Sequence, residues 1–380
     1  MEKINVLYVC IDPSLGGSTA SLFNMIEGLK DGVHSIVLFP ELGTGVEFFK
    51  KHGIECYVYP FIGLHEFRRN KIVDVWHHPW RWHYIKKVRI DVKCAIYMWK
   101  QLKGRRIDIV HTNTSLNNVG IYLARLLHAK HIWHVRECLD IHCDAQIYGG
   151  KSKLISQINR ADARIAVSSF VAEHWQMKDA SSYVVYDAAR SKHDTVYDSS
   201  KEKFVLFVSY YITEQKGSRR AIEAFGRSRL SDDGYVLRMV GNCSEDYKQS
   251  LLETAVLYSC ERNVEFIPVQ SDVKPYYVKA SVFIMSSKAE GLPRVVSESM
   301  FFGCPVLASC ESGGALDQVI DGETGYVFNT QEDCAKLLRK VCLTNQEHVI
   351  MRAQEFAKNN LSIEVYGPKI MAIYRNVLSR

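Results

Sequence analysis

Two glutamates, Glu290 and Glu298, stand with seven residues between them in AEGLPRVVSESMFFGCPVLAS, residues 289–309. Pro293 suits the first position of a helix, where its missing N–H loses no bond. The pattern predicts a helix over about 293–302, closed by Gly303. Free N–H groups at that start, those of Arg294 and Val295, suit a phosphate together with the helix dipole. Glu290 precedes the helix on a loop. Glu298 flanks its apolar face, and a carboxylate there requires hydrogen-bond donors. A vicinal diol such as a ribose would supply two. Taken alone, the pair is better read as a loop glutamate and an ordinary helix-flank ion pair.

Other residues with chemistry to offer are spread along the chain. Lys216 and Gly217 fall in SYYITEQKGSRRAIEAF, after a strand-like segment. Gly16 and Gly17 follow the first strand-like segment, and paired glycines let backbone approach a ligand. That loop is neither Gly-x-Gly-x-x-Gly nor Gly-x4-Gly-Lys-Ser/Thr, which disfavours a nicotinamide enzyme and a P-loop NTPase. His111 and His134 both sit at the ends of strand-like segments. His134, Cys138, His142 and Cys143 have nearly helical spacing, as part of a zinc site could, but no paired Cys-x-x-Cys or His-x3-His supports one.

These residues need a scaffold that brings strand ends together. INVLYVCI, HSIVLFP, IDIVHTN and RIAVSS read as buried parallel strands in the first half. KFVLFVSY, YVLRMVG, VEFIPV, SVFIMSS and CPVLAS follow in the second, with helical patterns between. This alternation predicts two doubly wound α/β domains, and 380 residues suit two cores. The expected division is 1–186 as the first domain, 187–203 as a polar linker, 204–360 as the second domain and 361–380 as a helix crossing back to the first. In such sheets ligands lie beyond the carboxyl ends of the strands, which is where Glu290 falls. Eleven cysteines without close pairs read as reduced thiols. Met-Glu-Lys leads straight into INVLYVCI without a signal-peptide pattern, so a cytoplasmic location is expected.

The stretch 289–309 resembles the signature of the family 4 retaining glycosyltransferases, the glycosyl transferases group 1 type. NVEFIPVQSDVKPYYVKASVFIMSS and GGALDQVIDGETGYVF continue the likeness over about 130 residues of the second half. The resemblance implies a GT-B fold, two Rossmann-like domains facing a cleft. It implies transfer of a sugar from a nucleotide donor, UDP- or GDP-linked, with retention and without a metal or other cofactor. Glu290 would contact the donor sugar and Glu298 the ribose. Lys216 and Gly217, with the 294–295 helix start, would hold the diphosphate, and Gly16-Gly17 would line the cleft beside it. His134, in HIWHVRECLD with Arg136 and Glu137, would face the transferred sugar, with His111 and Asn113 as a second candidate. One departure stands out. Tyr210 and Tyr211 occupy the place of the usual Gly-Arg, so one cation is missing or supplied by Arg219 or Arg220.

Residues 67–106 hold twelve Lys or Arg, two acids and four of the six tryptophans. All of the excess positive charge lies in residues 1–186, with 24 Lys+Arg against 17 Asp+Glu. Basic residues are drawn to anionic headgroups and tryptophan to the membrane interface. Arg68, Arg69, Trp80, Trp82, Lys86 and Lys87 are therefore expected on an acceptor and membrane side. A solvated basic helix with tryptophans in the core, and a single-stranded nucleic-acid patch, are the competing readings. With the resemblance, a lipid-linked glycan acceptor of a bacterial surface polysaccharide fits better than nucleic acid. The alternatives are a non-catalytic GT-B-like scaffold at the membrane and a GT-B sugar-nucleotide epimerase.

Overall fold

A computed structural model describes residues 2–67, 80–115, 117–142 and 145–380. Arg68, Arg69 and Cys143 lie outside the described residues. The chain divides into two compact units. One comprises Met1–Ala188 with Ile363–Arg380, and the other Ala189–Ser362.

The first unit carries β1 (Ile4–Val9), β2 (Val33–Phe39), β3 (Glu55–Val58), β4 (His65–Phe67), β5 (Ile109–Thr112), β6 (Lys130–Val135), β7 (Ala145–Ile147), β8 (Ala163–Ala166) and β9 (Ser182–Val184). Seven of these form a parallel sheet in the order β3-β2-β1-β5-β6-β8-β9, and β4 pairs antiparallel with β7. Helices cover both faces, so β5 and β8 are buried at every position rather than alternating. On one face, Leu22, Met25 and Leu29 of the helix Gly17–Leu29 pack with Tyr366, Ile370 and Tyr374 of the helix Ile363–Leu378. These two helices meet through glycines. A Cβ on Gly367 would lie 2.1 Å from the Gly28 carbonyl oxygen, so the backbones approach as closely as they do only because neither residue has a side chain. Cys94, Met98 and Leu102 of the helix Trp80–Leu102 cover the other face with Val119 and Leu123.

The second unit carries β10 (Glu202–Tyr211), β11 (Val236–Asn242), β12 (Val264–Ile267), β13 (Ala280–Met285), β14 (Val306–Ser309) and β15 (Tyr326–Phe328). They form one parallel sheet in the order β12-β11-β10-β13-β14-β15. The chain leaves β10 towards β11 on one side and later returns to β13 on the other. That makes β10 and β13 the topological switch point, where open α/β sheets place ligands.

Two expectations are corrected. The stretch 187–203 is not a separate tether. Its first two residues belong to the first unit and the rest to the second. There Ser191 and Asp194 form a capping box around a short 3₁₀ turn, and the Gln354 side chain donates to the Val196 carbonyl at 2.8 Å. The helix expected from Pro293 begins at Arg294 and runs to Phe301, with Pro293 extended at the N-cap. Gly303 then takes the left-handed conformation, φ +64°, that ends helices.

Candidate functional site

Three neighbouring loops of the second unit, after β10, β13 and β14, are stitched together. Gly217 closes the 3₁₀ turn Glu214–Lys216 at φ +74°, and a Cβ there would lie 2.1 Å from the Ser286 carbonyl oxygen. Both conformation and space demand glycine. The Ser286 hydroxyl donates to the Gly217 carbonyl at 2.8 Å, joining the loops after β10 and β13. Gly314 N–H donates to the Glu290 carbonyl and Ala289 N–H to the Glu311 carbonyl, both at 2.8 Å, joining the loops after β13 and β14.

This frame holds Lys216 against Glu290. The Lys216 Nζ donates to Glu290 Oε1 at 2.8 Å, with the side chains 33% and 13% exposed. Four residues after Glu290 the helix Arg294–Phe301 starts, and its first N–H groups have no intrahelical acceptor. A cation, a carboxylate and a helix start therefore share the switch point of one sheet. Arg219 and Arg220 are both engaged within the unit. Arg219 is tied to Ser250, Thr254 and Glu214, and Arg220 to the Ser286 carbonyl and Glu311. Tyr210 and Tyr211 stand 65% and 61% exposed at the end of β10, their rings edge to face.

Glu298 is buried, and it has a partner the local pattern did not show. Arg190 Nη2 donates to Glu298 Oε1 at 3.1 Å, and Arg294 Nη2 lies 3.7 Å from the same oxygen. Arg190 is 108 residues away in sequence, so nothing near Glu298 announces it.

The histidines of the first unit, His111 and His134, come together inside it. His134 is fully buried. Its Nδ1 lies 3.2 Å from His111 Nε2 and 3.4 Å from Arg136 Nη2. His111 contacts the Tyr374 hydroxyl at 2.8 Å, Arg136 pairs with Asp187, and Asn113 accepts from Arg136 at 2.9 Å. Tyr366 donates to Asp187 at 3.0 Å. Burial holds both histidines well below the usual imidazole range, with the Arg136 charge adding to it. His134 is thus a member of a buried polar network, and among the described residues its Nε2 has no hydrogen-bond partner. Glu137 accepts from the Ser115 N–H and hydroxyl at 2.7 Å, and burial pushes its pKa up to about 7.

Gly16 is the N-cap of the helix Gly17–Leu29. Neither glycine has positive φ. A Cβ on Gly16 would lie 2.3 Å from Asp12 Oδ2, whereas one on Gly17 would meet nothing within 4 Å. The pair is therefore a close fit to Asp12 followed by an open position. On the expected acceptor side, Lys86 is exposed but Lys87 is buried, paired with Asp91 and donating to Asn118 Oδ1 at 2.7 Å. Lys87 is a core residue of the helix–helix seam, so its assignment to a surface is wrong. Trp80 and Trp82 lie in the first turn of the same helix. Among the described residues no group of three or more His, Cys, Asp or Glu could hold a metal ion, and no helix is long and apolar enough to cross a membrane.

Two Rossmann-like parallel sheets, one with a lysine, a glutamate and a helix start at its switch point, define a doubly wound α/β protein. The pattern of glycosyl transferases group 1 matches residues 190–359, and that of glycosyltransferase family 4 matches residues 15–185. The chain belongs to this family. An uncharacterized glycosyltransferase of Haemophilus influenzae is 33% identical over 145 residues, 37% of this chain and 39% of that protein. The amylovoran biosynthesis glycosyltransferase AmsD of Erwinia amylovora is 27% identical over 187 residues, 49% of this chain and 50% of that protein. The matches thus span half or less of these relatives' lengths. HepE of Anabaena, solved with UDP and glucose, superposes with a TM-score of 0.77 at 16% identity, covering 98% of this chain and 100% of that one. The fold is GT-B.

Proposed function

We propose that this chain is a retaining glycosyltransferase that moves a sugar from a UDP- or GDP-linked donor to a lipid-linked glycan in surface polysaccharide synthesis. The observation that carries the reading is the Lys216–Glu290 pair beside the Arg294 helix start at the switch point. Lys216 and the helix N–H groups stabilise the charge that develops on the leaving diphosphate. Glu290, held by Lys216, positions the sugar, and Glu298 receives the ribose. No protein carboxylate is assigned as a covalent nucleophile. Retention follows from same-face attack, a donor phosphate oxygen taking the acceptor proton. The nucleotide sugar is a co-substrate, and the reading assigns no metal. A UDP-bound GT-B neighbour and a relative named for amylovoran biosynthesis support the donor and the pathway class.

A thermal-shift screen of UDP- and GDP-sugars tests the donor. A ligand that binds the native state alone raises the midpoint. If no nucleotide sugar does so, the donor site is wrong and a non-catalytic scaffold is favoured.

The acceptor side rests on the helix Trp80–Leu102. Ile85 and Ile96, about 40% exposed, share a face with exposed Lys86, Arg89, Lys93 and Lys100. A groove of about 460 Å³ runs along Ile85, Lys86, Arg89, Ile90 and Lys93. Apolar side chains ringed by cations suit an anionic membrane surface. Vesicles containing anionic lipid should bind the protein more tightly than neutral ones at low salt. Equal binding would remove the membrane from the reading and leave the donor site untouched.

A further inference from the structure

We infer that Arg190 is a positioning residue for the donor's ribose: it fixes Glu298 by one oxygen so that the other faces the 2′- and 3′-hydroxyls. The inference rests on the donor-site reading above. Both nearby cations address Oε1, Arg190 at 3.1 Å and Arg294 at 3.7 Å. Among the described residues no hydrogen bond to Oε2 accompanies them, and the side chain keeps 11% exposure. A carboxylate oxygen has room for two donors, so Oε2 can take a vicinal diol.

Arg190 is itself anchored. Its guanidinium carbon lies 5.3 Å from the centre of the Phe302 ring, and its backbone bridges to Ser362. Phe302 is the C-cap residue of the helix that carries Glu298. The arginine and its target carboxylate are thus fixed to one element. A stacked, planar guanidinium gives up less freedom on pairing than a lysine would. Charge-assisted contact to one oxygen then sets the rotamer of the other. Without Arg190, Glu298 would be a nearly buried charge with only the more distant Arg294, at 3.7 Å, as its partner.

The experiment measures binding of UDP, GDP and their 2′,3′-dideoxy analogues to the full chain by calorimetry. Wild type, Arg190→Ala, Arg190→Lys and Glu298→Gln are compared. Wild type should bind one ribonucleotide at least about tenfold more tightly than its dideoxy form, since hydrogen bonds to charged groups are strong. Arg190→Ala should shrink that ratio to under about threefold with dideoxy affinity unchanged, and Arg190→Lys should keep most of it. If Arg190→Ala weakens both ligands equally, leaves the ratio intact, or tightens the ribonucleotide, the positioning role is overturned while the donor site stands. If neither UDP nor GDP binds wild type, or Glu298→Gln leaves the ratio intact, the ribose assignment falls and Arg190's role with it.

Discussion

The two units treat charged residues in opposite ways. In the first, Arg136, Asp187, His111, His134, Tyr366 and Tyr374 meet deep inside, at the carboxyl ends of β5 and β6, and His134 Nε2 has no hydrogen-bond partner among the described residues. In the second, Lys216 and Glu290 meet at the surface of the sheet's switch point, each still partly exposed. Both sites sit where a doubly wound fold binds ligands, and both have the residue types for chemistry. What separates them is depth: the first cluster is buried, whereas Lys216 and Glu290 keep part of their surface in solvent.

This contrast can be broken at its most buried contact. Arg136→Ala should cost roughly 3–5 kcal/mol, because it strands Asp187 inside the unit. All six tryptophans lie in the first unit, so urea unfolding followed by tryptophan fluorescence reports that unit alone. A variant as stable as wild type would show that Asp187 does not depend on Arg136 for its charge to be tolerated inside the unit. The converse holds for the open pair. Glu290→Gln should lower donor turnover by about 100-fold or more, on the order of one lost transition-state contact, and leave tryptophan-monitored unfolding unchanged. Loss of stability without loss of turnover would reverse the roles of the two sites.

A third, smaller effect concerns pH. His111 and His134 are held well below the usual range by burial, and His131 is pulled down to about 4 for the same reason. Each binds a proton near pH 6 only when unfolded, so the unfolded state gains protons and stability falls as pH drops below about 6.5. Glu137 acts in the other direction. Its folded pKa of about 7 lies above the unfolded value, so its contribution is present at low pH and lost as pH rises through 7. Three histidines against one carboxyl leave a net loss of about 2 kcal/mol between pH 7 and 5.5 in the first unit. The tryptophan-monitored midpoint should fall accordingly, and a rise would show that the histidines are charged in the fold.

Most strand segments and the loops that follow them were legible because β-branched runs and glycine stops are local signals, whereas the order of the strands in each sheet was not. Glu290, Lys216 and Gly217 were legible for the same reason, each lying just past such a run. Arg190 was not, because its partner Glu298 is brought to it only by tertiary packing. Asp187, Tyr366 and Tyr374 were hidden likewise, the first in a stretch read as linker and the others on the last helix. Lys87 is a different failure. Asp91 stands four residues on, a spacing that pairs charges on a helix, and the basic composition of the surrounding segment drew attention away from it.

The glycine contact between the helices Gly17–Leu29 and Ile363–Leu378 has a consequence for how the protein comes into being. During synthesis the whole of the second unit emerges before residues 363–380 do, so it can fold while the first unit is still open along the face of its opening helix. Until Tyr366 and Tyr374 arrive, Asp187 and His111 lack their hydroxyl partners and Leu22 and Met25 lack their cover. The half that begins first is completed last, and its early-made residues are exposed to misassembly for as long as the ribosome takes to traverse the other half.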